Sequence, residues 1–216
     1  MAERYENLTG RKLISAIRRK NIKNIFAYGF MLLLGIAFFV FAVYKVKEEH
    51  SYGWAIAAVL LGILFCVLSL HELLKCFRTL KSVPNCRLFR KYGNADTIAQ
   101  VISEYAAGNF CEPHNMSIVT EKFIMAKKNY ESYVPLSSVL QMYKQINRTN
   151  GVLTGYALVI VDEYGDKYRY PFQIGKRYSG DLELAAGEIA KRAPRARFDC
   201  TAEATAYVRE NQKQLP

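Results

Sequence analysis

Two apolar runs dominate the pattern of the chain. Ile25 to Tyr44 is a 20-residue stretch without a charged side chain, and Ser51 to Leu70 is a second of the same length. A helix needs about 20 apolar residues to cross the hydrocarbon core of a bilayer, so each run is long enough to span one. Only Lys45-Val46-Lys47-Glu48-Glu49 and His50 separate them. So short a linker makes the two helices antiparallel neighbours. Neither run contains Asp, Glu, Lys, Arg or His. Ion and solute paths place such groups inside the membrane, so the pair reads as an anchor. Gly29 and Gly35 sit in the first run. In the second, Ala58, Gly62 and Cys66 recur every four residues, a helix-packing stripe of small side chains that lets helix backbones approach closely. The stripe is expected to face the first span; a homo-oligomer or another membrane protein is the alternative use. Tyr44, Tyr52 and Trp54 suit an interfacial aromatic belt.

Before the first run the pattern turns polar and basic. Leu13, Ile14, Ile17 and Ile22 fall on one side of a helix, with Arg11, Lys12, Arg18 and Arg19 around the other. This predicts either an amphipathic helix lying on an anionic leaflet or a plain extension into the span. After the second run, Cys76 to Lys91 reads as a basic connector broken by Pro84.

The remaining pattern is that of a separate module. Asn94 caps a helix with Ile98, Val101, Ile102 and Tyr105 on one face, and Gly108 stops it. Short β-rich segments follow at 116–120, 122–126 and 130–134. The stretch 138–146 is expected to be a strand, although its spacing tolerates helix, and 147–151 a loop. Tyr156 to Val161 and Lys167 to Phe172 pair across the turn Glu163-Tyr164-Gly165-Asp166. Asp181 opens a helix carrying Leu182, Ala185, Ile189 and Ala190, which Pro194 ends, and a short helix covers 202–210. The fold class is α+β: an N-terminal transmembrane hairpin, then an antiparallel-sheet domain flanked by helices. The implied division is 1–24 basic segment, 25–72 hairpin, 73–92 connector and 93–216 domain.

Charge sets an orientation. The net charge is +11. Residues 1–81 hold 12 Lys/Arg and 5 Asp/Glu, a net of +7; residues 82–216 hold 18 and 14, a net of +4. Arg4, Arg11, Lys12, Arg18, Arg19, Lys20 and Lys23 precede the first span, and Lys75, Arg78 and Lys81 follow the second. Basic flanks stay on the cytoplasmic side, so both termini are expected there, in a multi-pass protein of the cell membrane. All but Arg4 are the candidate lipid-facing residues. The same placement accounts for the high isoelectric point without nucleic acid. Cys66, Cys76, Cys86, Cys111 and Cys200, odd in number and irregularly spaced, do not make a disulfide framework. The sequons at Asn7, Asn115 and Asn147 are expected to be unglycosylated on the cytoplasmic side.

The order of elements from Met116-Ser-Ile-Val-Thr-Glu-Lys-Phe-Ile-Met125, through Val134-Pro-Leu-Ser-Ser-Val139 and the Tyr156–Phe172 hairpin, to the Leu182–Ala190 helix resembles the bacterial pleckstrin-homology-like (PH-like) module. Leu88-Phe-Arg-Lys-Tyr-Gly93 is similar to a segment of uncharacterised two-span bacterial membrane proteins. The resemblance covers about residues 86–200 and implies a bent antiparallel sheet closed by a helix. Five or six strands are countable here, against seven in the full fold. Phosphoinositide-binding members carry a Lys and then Lys/Arg-x-Arg around the first hairpin; Lys122 and Lys127-Lys128 begin such a pattern and Asn129-Tyr130-Glu131 does not complete it.

Candidate chemistry is sparse. Cys111-Glu112-Pro113-His114, with Cys86, offers metal-ligand types without the paired spacing of a zinc site, and no third group to activate a Cys–His nucleophile. Gly151-Val-Leu-Thr-Gly155 lacks the Lys-Ser/Thr of a phosphate loop. Lys176-Arg177 and Lys191-Arg192, with Arg195 and Arg197, are basic clusters suited to anionic lipid or to plain solvation. No metal and no cofactor is called for. The expectation is a membrane-anchored, non-enzymatic module binding a protein or peptide partner. The alternatives are an anionic-lipid sensor and a small subunit of a transport or secretion complex.

Overall fold

The computed structural model describes residues 5–49, 52–112, 114–175, 178 and 180–214. Arg4, His50, Ser51, Pro113, Lys176 and Arg177 lie outside the described residues. The chain divides into two compact units. Residues 15–86 form one; the residues up to Ile14, with those from Arg87 onward, form the other.

The first unit is helical. Helix α1 (Gly10–Glu49) and helix α2 (Tyr52–Lys81) are both long and apolar enough to cross a membrane. Small residues set their contact. A Cβ built on Gly35 would stand 2.7 Å from the Cys66 sulfur and 3.2 Å from the Gly62 carbonyl oxygen. One on Gly62 would stand 3.0 Å from the Gly35 carbonyl oxygen. Ala55 and Ala58 are buried against Ala42, and Phe38 stacks on Phe65 with ring centroids 5.8 Å apart.

Both helices outrun their apolar stretches. The N-terminal basic segment is no separate surface helix: α1 runs unbroken from Gly10, and protein atoms bury Leu13 and Ile17 completely. The start of the basic connector is helical too. Leu73 and Cys76 are buried, so α2 continues to Lys81 before Pro84 enters a single 3₁₀ turn, Val83–Asn85. Charge had marked 73–92 as a connector, but Lys and Arg are good helix formers and interrupt nothing.

The second unit begins with residues 5–14. Gly10 N donates to Asp96 Oδ1 at 3.1 Å, and Tyr5 packs edge-on against Tyr130 at 6.4 Å. These residues and 87–92 therefore belong with the module, which the division at 24 and 93 had left out. Helix α3 (Arg87–Tyr92) leads to α4 (Ala95–Tyr105), capped by Asn94 Oδ1, which accepts from Thr97 N at 2.8 Å.

Two three-stranded antiparallel sheets follow. One holds β1 (Ser117–Val119), β2 (Phe123–Ala126) and β3 (Asn129–Pro135); the other holds β4 (Val139–Thr149), β5 (Val152–Asp162) and β6 (Lys167–Phe172). The segment that tolerated helix is a strand because it pairs along the whole apolar length of β5. The expected loop at 147–151 shrinks to Asn150-Gly151. Both residues have positive φ, 51° and 80°, as a two-residue hairpin turn of the mirror-image type requires.

Helix α5 (Asp181–Arg192) lays Leu182, Ala185 and Ile189 on Met142, Leu158, Ile160 and Tyr170. Helix α6 (Ala202–Asn211) sets Val208 against Leu140 and Val161. The architecture is α+β, with two long apolar helices ahead of the paired sheets.

The buried N-terminal turn generates a prediction. Leu13→Ala should destabilise the protein by about 2–5 kcal/mol, the cost of emptying a buried leucine site. Ile22→Ala, at an exposed position, should cost about 0.5 kcal/mol or less. Thermal unfolding of the full chain in detergent, followed by near-ultraviolet circular dichroism, measures both. Equal small shifts would mean that residues 5–14 do not complete the module.

Candidate functional site

Of the two edge strands of the second sheet, β4 and β6, β4 is partly open. β4 pairs with β5 on one side. On the other side only its first third is covered: Arg197 N donates to the Leu140 carbonyl at 2.9 Å, and Met142 N donates to the Arg197 carbonyl at 2.8 Å. Gln141 Nε2 adds a bond to the Asp199 carbonyl at 2.9 Å. The chain then turns into α6. Among the described residues, the β4 edge beyond Met142 pairs with no other strand. The N–H and C=O of one strand residue point the same way, and successive residues alternate. Lys144 and Ile146 therefore present their backbone groups on the open side, as Met142 does.

This edge borders one apolar hollow beside α5, and a second lies between α5 and the ends of β5 and β6. Met142, Lys144, Leu158, Ala186, Ala190 and Phe198 line one of ≈ 510 Å³. Tyr156, Phe172, Ile174, Tyr178 and Leu182 line another of ≈ 420 Å³. Lys144 borders the first and Glu183 the second, and Lys144 Nζ meets Glu183 Oε1 at 3.1 Å. Ile146, Val152 and Leu153 stand exposed at the hairpin end. The small side chains of α5 at Ala186 and Ala190 keep the first hollow open. Backbone donors and acceptors beside apolar pockets are what an added strand needs.

A second constellation is buried and self-satisfied. The Lys91 side chain has no exposure. Its ammonium donates to Asp162 Oδ2 at 2.5 Å, to Asp166 Oδ2, and to Tyr168 OH at 3.1 Å. The rings of Tyr164, Tyr168 and Tyr92 surround it at 5.1, 5.4 and 5.7 Å. Tyr92 OH donates to Asp162 Oδ2, Arg87 to Asp166 Oδ1, and Tyr164 OH to the Lys91 carbonyl at 3.0 Å. Asp162 Oδ1 accepts from the backbone N–H groups of Tyr164 and Asp166, both at 2.9 Å. Two cations thus meet two carboxylates. The geometry fastens α3 to the β5–β6 turn.

The sequence candidates are scattered. Cys111 is buried, and burial first, with the Asp181 carboxylate adding to it, pushes its thiol up to about 12. At neutral pH it is protonated and a poor nucleophile, while His114 is exposed. Asp181 is engaged by Glu112 N and Asn115 Nδ2 at 3.0 and 2.8 Å. Among the described residues, no three His, Cys, Asp or Glu side chains gather as a metal site. Burial lowers the Lys127 ammonium from its ordinary value, and Lys122 lies over the Tyr105 ring at 5.7 Å. Lys191 and Arg192 both pair with Glu188. Sequence reasoning missed Lys91 and its partners because a basic connector and an acidic turn, 71 residues apart, each look like solvated segments.

No family model, curated protein or solved structure matches the chain. The site therefore rests on its own geometry.

Breaking a buried charge pair by removing one member costs about 3–5 kcal/mol, so Lys91→Ala should lower stability by that amount and Lys91→Met by less. Burial alone would lower the Lys91 pKa, but its bonds to Asp162, Asp166 and Tyr168 outweigh burial and raise it above 10.5. Burial, then the nearby Tyr168 and Asp162, raises the Tyr92 phenol above its ordinary 10.0. Both groups hold their protons more tightly when folded. Their stabilisation is complete below the unfolded values and disappears as pH rises through the folded ones. Chemical denaturation midpoints should stay level through neutral pH and fall above 10.0, and Tyr92→Phe should reduce that fall. A midpoint that rises with alkaline pH would contradict the network.

Proposed function

We propose that this chain is a membrane-tethered recruitment module of the cell membrane, and that the open edge of β4 takes up an extended segment of a partner protein as an added strand. The observation that carries the reading is the unpaired edge from Lys144 onward, bordered near Lys144 by an apolar hollow against α5. Strand addition draws affinity from main-chain hydrogen bonds and specificity from pockets for alternate side chains, and the unpaired edge with its adjoining hollow supports that use. The role needs no catalysis, and Cys111 is not activated for any.

The tether reading rests on the two long helices. Phe26, Phe30, Leu33, Val40, Ile56, Leu60 and Val67 are exposed along them, a continuous apolar surface that suits lipid better than water. The basic flanks support an orientation with both termini in the cytoplasm. Helix geometry then sorts the basic candidates. At about 1.5 Å per residue, Lys23, Lys20 and Lys75 lie within about 8 Å of the apolar stretch, the depth of the headgroups. Arg18, Arg19 and Arg78 follow at about 9–12 Å. Lys81, Lys12 and Arg11 lie about 16–21 Å along their helices, beyond a Debye length, and act weakly on a lipid surface. Lys12 Nζ instead donates to the Asn7 carbonyl at 2.9 Å.

The PH-like assignment belongs to the same proposal. Two antiparallel sheets closed by α5 support it, and three strands in each give six.

The test uses the full chain purified from membranes in mild detergent, with bound proteins quantified by mass spectrometry. Ile146→Pro removes an outward N–H that the β4–β5 ladder does not use, so the fold should survive. The expected result is loss of bound partners from Ile146→Pro and retention by Arg169→Ala, a neighbour on β6. Partners unaffected by Ile146→Pro would move the binding surface away from β4. A topology reporter fused after Lys47 should read outside and one at the C-terminus inside; the reverse would overturn the orientation.

A further inference from the structure

The open edge carries information about what it accepts. Lys144, Ile146 and Arg148 alternate along β4, so their side chains share one face of the sheet, the face toward α5 on which Lys144 reaches Glu183. All three are exposed, Ile146 by 55 %. The Lys144–Glu183 pair is also open to solvent, with side-chain exposures of 48 % and 60 %. Such a pair contributes little and exchanges readily for another carboxylate.

We infer that the strand added to β4 is acidic: it sets carboxylates opposite Lys144 and Arg148 and an apolar side chain opposite Ile146. The inference rests on the strand-addition reading and names its partner class. Residues directly opposite in a ladder interact on their shared face, opposite charges favourably and like charges unfavourably.

A second copy of the chain is the rival occupant, and the same charges disfavour it. The open stretch runs from Tyr143 to Thr149, because Arg197 already occupies Leu140 and Met142. A twofold antiparallel pairing that uses the whole stretch centres on Ile146. That register places Lys144 of one copy opposite Arg148 of the other, twice. An acidic strand in the same register replaces two repulsions with two attractions. The apolar position fits the local surface as well, since Ile146 is paired with Tyr156, which lines the hollow beside Leu182.

Full-length protein in neutral detergent is titrated into two fluorescent, end-blocked nonapeptides rich in Thr and Val. One carries Glu, Ile and Glu at alternate central positions; the other carries Lys, Ile and Lys. Fluorescence anisotropy reads binding. The acidic peptide should bind at least about tenfold more tightly at low salt, from two pairs that each change sign. Added salt should narrow the gap. Lys144→Glu with Arg148→Glu should reverse the preference, although the protein as a whole remains strongly basic. An acidic peptide N-methylated at alternate residues should bind weakly, a check on strand addition that needs no variant to fold.

Four results would overturn the proposal. Equal or tighter binding of the lysine peptide removes the acidic partner but leaves strand addition standing if N-methylation still weakens binding. An acidic preference untouched by the double charge reversal places the attraction elsewhere on a basic protein. Binding of neither peptide at millimolar concentration overturns strand addition as well. Self-association abolished by Ile146→Pro would instead make the second copy the occupant.

Discussion

The Lys91 side chain exposes no surface, and the order of the module around it follows from that constraint. A buried cation is tolerated only where carboxylates and hydrogen bonds replace its hydration. Asp162 and Asp166 supply the charge, and they can do so only if the β5–β6 turn is closed and α3 is docked. Asp162 also accepts two backbone N–H groups of its own turn, so one carboxylate shapes the turn and anchors the helix. The turn holds other parts as well. Glu163 N donates to the Ser138 carbonyl at 2.7 Å, and Lys213 Nζ pairs with Glu163 at 2.7 Å. The chain's entry into the module, its sheet and its C-terminal end thus meet at one short turn.

The fixed end of the sheet makes the free end possible. β5 is held near Asp162 by this network and along its middle by β4 and β6. β6 reaches only to the partner of Tyr156, so residues 152–155 of β5 and the facing part of β4 extend as a two-stranded ribbon past the sheet. Isolated ribbons are marginal in water. This one continues strands whose roots lie in the core, where Leu158 and Ile160 are fully buried. Its exposed edge can therefore remain ordered without being covered.

The chain's pattern revealed its helices and strands far better than its contacts. The apolar runs, the Asn94 cap, the 167–172 strand and the 181–192 helix were legible because each is a local signal: length, capping chemistry or alternation. The C-terminal ends of α1 and α2 were not, because residues 45–49 and the start of 73–92 were read as linkers when their charges only mark the polar side of a helix. The Asn150-Gly151 turn was legible in principle, since Asn-Gly between β-rich residues is a strong hairpin signal. The polar run Asn147-Arg148-Thr149 just before it hid the end of β4. The Lys91 network was not legible at all. It depends on which helix packs on which turn, and nothing near Lys91 or Asp162 in sequence carries that information. The open β4 edge has the same character: a strand's edge status is a property of the sheet, not of the strand.

An uncovered edge normally threatens a protein with self-association, and charged side chains on the edge are a common defence. Lys144 and Arg148 fit that role without any partner. The defensive and the selective readings are not independent, however. Cross-strand electrostatics act on whatever strand arrives, so the charges that repel a second β4 attract a strand of opposite sign in the same register. A purely defensive edge gains nothing from an exposed isoleucine between its two cations, since burying it would strengthen association of any kind. In the proposed complex Ile146 would add apolar affinity at the point where the charges supply discrimination. If the two apolar helices tether the chain to a membrane as proposed, local concentration is high and indiscriminate pairing most costly there, and this combination would separate one class of partner from the chain's own copies.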